Sequence, residues 1–147
     1  MAKLQLKILT AETVKFDEPV DMVIVRSIVA EMGRRSAVGD MGILPGHMAL
    51  SAVLGISPLR IMDSGTERVL AVFGGLINVR DNVVTVMTEK ALWPDEIDEA
   101  KAREEHDRAQ QAREALSDDT DLRSNQIAMR RALVQMEVST YPLVGRK

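Results

Sequence analysis

The stretch ALWPDEIDEAKAREEHDRAQQ, Ala91 to Gln111, is where this chain changes its period. Upstream of Trp93-Pro94, apolar residues recur every second position. In KLQLKIL, Leu4, Leu6 and Ile8 point one way while Lys3, Gln5 and Lys7 point the other, as a half-buried strand requires. Further apolar runs follow at Val20 to Val25, Met48 to Leu54, Leu59 to Met62, Val69 to Phe73, Leu76 to Val79 and Val83 to Met87. DSGTE (Asp63 to Glu67) and RDN (Arg80 to Asn82) separate runs with the residues that hairpin turns favour. Short strands with close turns and no intervening helix imply an antiparallel sandwich or barrel.

Downstream of Pro94 the alternation stops. The segment up to Pro142 contains no glycine and is rich in Ala, Glu, Arg and Gln, all good helix formers. Asp95 is the expected first N-cap, SDDTD (Ser117 to Asp121) breaks the run and supplies a second, and Pro142 ends the second helix. Two helices with so short a link fold back as an antiparallel hairpin. Met129, Leu133 and Met136 mark the apolar side of the second helix, and Ala102, Ala109, Ala112 and Leu116 that of the first. The division is therefore a β-domain over 1–92 and a helical domain over 93–147. A hairpin with so little apolar surface is marginal alone and has to rest on the β-domain, a ligand or a partner.

Composition narrows the function. The net charge of -3 lacks the clustered basic surplus of nucleic-acid binders. With no cysteine, disulfides and thiolate metal sites are excluded. The N-terminus has no apolar signal-peptide core, and no uncharged run approaches the roughly 18 residues a membrane span needs. Any membrane contact is expected only through a partner.

The most distinctive motif is VGDMGILPGH, Val38 to His47, which gathers three glycines, a proline and one of two histidines. It lacks the Gly-Lys-Ser/Thr of a phosphate loop and the flanked serine of a nucleophile elbow. As a general base, His47 would need an orienting carboxylate and a nucleophile, and an enzyme built on Asp40 and His47 fails for want of those partners. A glycine-shaped turn feeding the next strand is the plainer reading.

GDMGILPGHMAL, the later VFGGLINVRDNVVTVMTEKA and DEIDEAKA occur in an order that resembles the ε subunit of bacterial F-type ATP synthases. The resemblance covers nearly the whole chain; the mitochondrial δ subunit shares the architecture. It implies an N-terminal β-sandwich of about ten strands followed by a two-helix domain, in a non-catalytic rotor subunit of the central stalk. On that reading the sandwich binds the γ subunit and rests on the ring of c subunits. The hairpin lies folded on the sandwich or extends along γ towards the α3β3 head, where it restrains ATP hydrolysis. The expected location is peripheral, on the cytoplasmic face of the bacterial membrane. Asp40, Gly42, Pro45, Gly46 and His47 match the family's c-ring side, where they would act by shape and charge.

Some family members bind ATP on the folded hairpin through an Ile-Asp-x-x-Arg-Ala motif, and no other cofactor is implied. Here the matching residues are Ile97, Asp98, Lys101 and Ala102, with Arg108 and Arg131 at further basic positions of the site. Lys101 replaces the motif arginine and loses its planar fork, and Gln135 stands where some ATP binders carry arginine. The alternative for these charges is the solvated face of an amphipathic hairpin. Arg103, Arg108, Arg113, Arg123, Arg130 and Arg131 offer contacts to acidic surfaces on the catalytic subunits. The segment Ile28 to Val38 is longer than the family's usual turn and reads as a lengthened hairpin with a basic tip at Arg34-Arg35. A stand-alone sandwich module with a helical adaptor is the alternative function.

Overall fold

The computed structural model describes residues 2–31 and 34–142, with backbone alone over 28–31 and 34–38. Eight strands precede the helices among these residues: β1 (Leu4–Leu9), β2 (Val14–Val20), β3 (Met22–Glu31), β4 (Arg34–Ile43), β5 (Leu50–Asp63), β6 (Thr66–Arg80), β7 (Val83–Met87) and β8 (Ala91–Leu92). Their order is β2-β1-β7-β6-β5-β3-β4, with β8 also on β6.

The runs expected as separate strands over Met48 to Leu54 and Leu59 to Met62 are one strand, β5. Those over Val69 to Phe73 and Leu76 to Val79 are likewise one, β6. Each serves both layers of the sandwich. Leu76 to Arg80 of β6 pairs with β7, whereas Ala71 and Val72 pair with β8. The change of layer falls at glycines: Leu54 pairs with Gly75 and Ile56 with Phe73, so Gly55 and Gly74 lie opposite each other. Gly74 and Gly75 have φ of +77° and +125°, which side-chain-bearing residues rarely adopt. A Cβ on Gly75 would also collide with the Met87 carbonyl oxygen. Counting the halves of β5 and β6 separately accounts for the ten strands.

The core lies between the layers. Leu4, Leu6 and Ile8 from β1, Val84 and Val86 from β7, and Leu59, Ile61, Leu70 and Val72 from β5 and β6 meet there with Phe16 and Trp93. β6 reads as an unbroken apolar run because both its faces are buried. Leu70 and Val72 point inward, while Val69, Ala71 and Phe73 point outward under a helix. The two hairpin turns use left-handed residues, Ser64 and Gly65 after β5, Asp81 and Asn82 after β6, whose twist matches that of the strands. Glu31 pairs with Arg34, so the lengthened β3–β4 hairpin exists. Arg34 and Arg35 belong to its second strand rather than its tip, and residues 32–33 lie outside the described residues.

A 3-10 turn (Pro94–Glu96) leads into α1 (Glu99–Arg113) and α2 (Asp119–Ser139). Asp95 belongs to the 3-10 turn; the N-cap of α1 is Asp98, and that of α2 is Asp118. The buried face of α2 also differs from the expected one. Ala132, Val134 and Val138 are buried, Met129 and Met136 only partly, and Leu133 is 46% exposed. Ala102 and Ala109 are the buried residues of α1, with Ala112 exposed. The discrepancy has a cause: α2 meets two surfaces at once, α1 and the sheet, so its apolar stripe is set by Val134 and Val138 against Val69, Ala71 and Phe73. Fully burying a valine contributes roughly 1.5–3 kcal/mol, and such contacts hold the marginal hairpin. Asn125 fastens the helices to each other by donating to the Ala109 carbonyl at 2.8 Å.

Candidate functional site

The first half of VGDMGILPGH is strand, not turn, because β4 runs to Ile43. The register shifts after Ser27, which pairs with Gly39 at a φ of +106°, as a β-bulge does. Asp40 then faces Arg26, whose Nε donates to its carboxylate at 3.1 Å. Gly42 sits where a Cβ would meet the flexible end of Met22. The turn proper begins at Leu44, and the His47 N–H donates to the Leu44 carbonyl at 3.1 Å. Gly46 (φ +87°) donates its N–H to the Asn82 side chain at 2.7 Å. That bond ties the Pro45-Gly46 turn to the β6–β7 hairpin.

Asp40 and His47 do not serve each other. Asp40 is engaged with Arg26, and His47 Nδ1 lies 2.8 Å from the Met48 carbonyl. No group of three or more potential metal ligands occurs among the described residues. The turn instead presents apolar side chains, with Leu44 54% and Met48 77% exposed. Neither these two residues nor the tether Asn82 is among the residues the motif marks by glycine, charge or histidine. RDN is legible as a hairpin turn, but the bond from Asn82 to Gly46 spans 36 residues and no local pattern marks it.

The second candidate group lies on the hairpin. Ile97 packs beside the Val134–Val138 cluster. Asp98 accepts from the Lys101 N–H at 3.1 Å, capping α1. Lys101 is exposed, whereas Ala102 is buried in the helical packing. Arg108 pairs with Glu104 one turn earlier at 3.3 Å. Arg131 leaves the hairpin altogether: it donates to Glu89, after β7, at 3.0 Å, and its guanidinium lies 5.9 Å from the Phe73 ring centre. Gln135 bonds the Arg131 carbonyl. Arg108 and Arg131 thus have acidic partners in the folded hairpin, and the Arg131 partner belongs to the sandwich.

A third feature is a groove of about 810 Å3 at the free edge of β2, lined by Lys3, Lys15, Phe16, Arg68 and Trp93 among others. Its cations are neutralised: Lys3 by Asp63, Lys15 by Glu96 and Arg68 by Glu18. The Lys15–Glu96 bond at 2.6 Å also links β2 to the turn that opens the helical half. No helix among the described residues is long and apolar enough to cross a membrane.

Residues 3–94 match the family model for the β-sandwich domain of the ATP synthase delta/epsilon chain, and residues 95–140 match that for its long α-helix domain. The chain is 32% identical over 139 residues to an ATP synthase epsilon chain of Bacillus velezensis, covering 95% of this chain and 98% of that protein. It is 37% identical to that of Herpetosiphon aurantiacus over 92% of this chain and 93% of the relative. In fold, it resembles a chain of the Euglena gracilis mitochondrial ATP synthase OSCP/F1/c-ring structure (TM-score 0.77, 23% identity, 96% of this chain and 83% of that one). A chain from the Tetrahymena thermophila mitochondrial ATP synthase central stalk and c-ring shares the fold at a TM-score of 0.60 and 14% identity, over 95% and 98% of the two chains.

Proposed function

The chain belongs to the ATP synthase delta/epsilon chain family, and on that premise we propose that it is a non-catalytic central-stalk subunit whose helical hairpin regulates ATP hydrolysis. The observation that carries this reading is the two-part anchoring of α2. Val134 and Val138 rest on Val69, Ala71 and Phe73, while Arg131 reaches Glu89. These contacts are few and lie at one interface, so the hairpin can leave the sandwich as a unit without disturbing the inner core.

In this proposal the sandwich binds γ, and the Leu44–Met48 turn with Asp40 faces the c-ring, positioning by shape more than by charge. Released, the hairpin carries Arg103, Arg113, Arg123 and Arg130 towards acidic surfaces of the α/β head and restrains hydrolysis. The assembly holds the chain at the cytoplasmic face of the bacterial membrane, with no direct lipid contact. ATP is the proposed regulatory ligand of the folded state, at Ile97, Asp98, Lys101, Ala102, Arg108 and Arg131. A ligand specific to that state stabilises it by about 2.7 kcal/mol at a hundredfold excess over Kd.

The test is deletion of the residues after Trp93, with ATP hydrolysis measured in the assembled complex. Release of hydrolysis is expected; an unchanged rate sinks the regulatory role. For the ligand, millimolar ATP titrated into the isolated chain is expected to shift the amide resonances of α1 and α2, and unmoved resonances remove the nucleotide.

A further inference from the structure

Among the described residues, Phe73 is the one ring flanked by two cations. Lys90 Nζ stands 5.7 Å from its centre and Arg131 Cζ 5.9 Å. The two arrive from different halves of the chain. The Lys90 carbonyl accepts from the Phe73 N–H at 3.1 Å and from the Thr88 hydroxyl at 3.2 Å, so its backbone belongs to the sandwich. Arg131 belongs to α2. One carboxylate stands with them: Glu89 accepts from Arg131 Nη2 at 3.0 Å, and Lys90 has no acidic partner among the described residues. Phe16 is balanced differently. Its single cation, Arg68 at 5.0 Å, faces Glu18 at 3.6 Å.

A cation gains from the face of an aromatic ring, but two cations on one ring also repel each other. With one carboxylate for two cations, the spot keeps a surplus positive charge. The Arg131 guanidinium also has donors to spare. Glu89 occupies Nη2, and Nε is buried without a hydrogen-bond partner among the described residues, a costly state for a donor. Lys90 is exposed and its ammonium donors are open to solvent. A point charge and a planar fork together suit phosphate oxygens. A singly charged anion would gain little here, because Glu89 opposes it. A chain of linked phosphates carries enough charge to prevail over that carboxylate and can meet both cations at once.

We propose that Lys90 and Arg131 form an anion site for a chain of linked phosphates, closed across the seam between the sandwich and α2. It rests on the nucleotide reading above for the source of those phosphates, and adds Lys90, a sandwich residue, to a site otherwise placed on the hairpin. That addition matters to regulation. A site built from hairpin residues alone would travel with the hairpin when it leaves as a unit, and a ligand with equal affinity for two states shifts neither. Lys90 and Arg131 come together only while α2 lies on Phe73. A ligand bridging them binds the docked hairpin and not the released one, so it draws the population towards the docked state.

The test follows hydrogen exchange of the Val134 and Val138 amides in the full chain, with and without ATP, inorganic tripolyphosphate or AMP. For each variant the readout is the ratio of the two rates, so any change in hairpin opening without ligand cancels. ATP at about ten times its Kd is expected to slow exchange about tenfold in the wild type, and AMP, with a single phosphate, to leave it unchanged. At the same ATP concentration Lys90→Gln is expected to show about twofold slowing, as a tenfold weaker Kd requires, and Lys90→Arg to keep the wild-type ratio. Undiminished slowing in Lys90→Gln, or slowing by AMP equal to that by ATP, overturns the site and leaves nucleotide binding standing. Slowing by tripolyphosphate but not by ATP, lost in Lys90→Gln, keeps the site and overturns the nucleotide reading. If neither compound slows exchange in the wild type, both fall.

Discussion

Arg131 and Glu89 join the helical half to the sandwich: the guanidinium of α2 sits 3.0 Å from a carboxylate beyond β7, above the Phe73 ring. Both side chains retain solvent contact, at 41% and 66%, so the pair contributes about 0.2–1 kcal/mol and the ring about 0.5–1 kcal/mol more. Glu89→Gln is expected to raise hairpin opening by about two- to fivefold, and Arg131→Gln, which also loses the ring, by about three- to thirtyfold, since about 1.4 kcal/mol corresponds to tenfold. Hydrogen exchange of the Val134 and Val138 amides reads the opening directly. Added salt should do the same in the wild type and little in either variant.

That pair also sets up a competition. A phosphate approaching Arg131 meets a guanidinium whose Nη2 is held by Glu89, and that carboxylate repels the added negative charge. Glu89→Gln is therefore expected to tighten ATP binding severalfold in a calorimetric titration, even as it loosens the hairpin. An unchanged Kd would mean that nucleotide does not use Arg131.

The layer change in β6 makes a sharper prediction. At Gly75, φ is +125° and an added Cβ would strike the Met87 carbonyl and approach Thr88 Cα at 3.0 Å. Both obstacles are backbone, so relief requires β6 and β7 to separate. Gly75→Ala is expected to cost about 3 kcal/mol or more, combining backbone strain with overpacking. Gly65 also has a positive φ, of +77°, but faces open space; Gly65→Ala should cost only about 1–2 kcal/mol. Urea denaturation of the two variants gives the comparison.

These glycines also show where sequence reading reached its limit. Period two revealed the strands and the helix formers after Pro94 revealed the hairpin, since both signals are local. Whether two apolar runs form two strands or one bent strand depends on what Gly55, Gly74 and Gly75 do in three dimensions. The face of α2 was misjudged for the same reason: Met129, Leu133 and Met136 make a regular stripe, but the sheet selects Val134 and Val138. Asp40 and Arg131 were legible as charged candidates. Their partners, Arg26 and Glu89, lie 14 and 42 residues away, and no local pattern names them.

Lys3 supplies a pH test. Its ammonium donates to Asp63 at 2.7 Å and lies 3.7 Å from Asp21. The Asp63 hydrogen bond is the main cause holding its pKa above the ordinary 10.5. A raised amine pKa stabilises the fold in the protonated state, so the contribution is fully present below about 10.5 and is lost as pH rises through the folded-state value. Lys3 should therefore leave stability level between neutral pH and about 9.5, well below its ordinary pKa. The wild type is expected to show an alkaline decline in its denaturation midpoints, and Lys3→Met to flatten it.

Asp98 separates capping from ligand binding. Its carboxylate accepts from the Lys101 N–H at 3.1 Å and satisfies one of the free donors at the start of α1. Asp98→Ala should cost about 1 kcal/mol of hairpin stability, the usual loss on removing a cap. Asparagine caps equally well but has no charge, so Asp98→Asn should preserve the exchange protection of α1. The two replacements therefore divide the roles. If Asp98 acts only as a cap, ATP affinity follows hairpin stability, falling in the alanine variant and holding in the asparagine one. A loss of affinity in Asp98→Asn with α1 protection intact would instead assign the carboxylate to the nucleotide. Exchange and titration on the same samples distinguish the two.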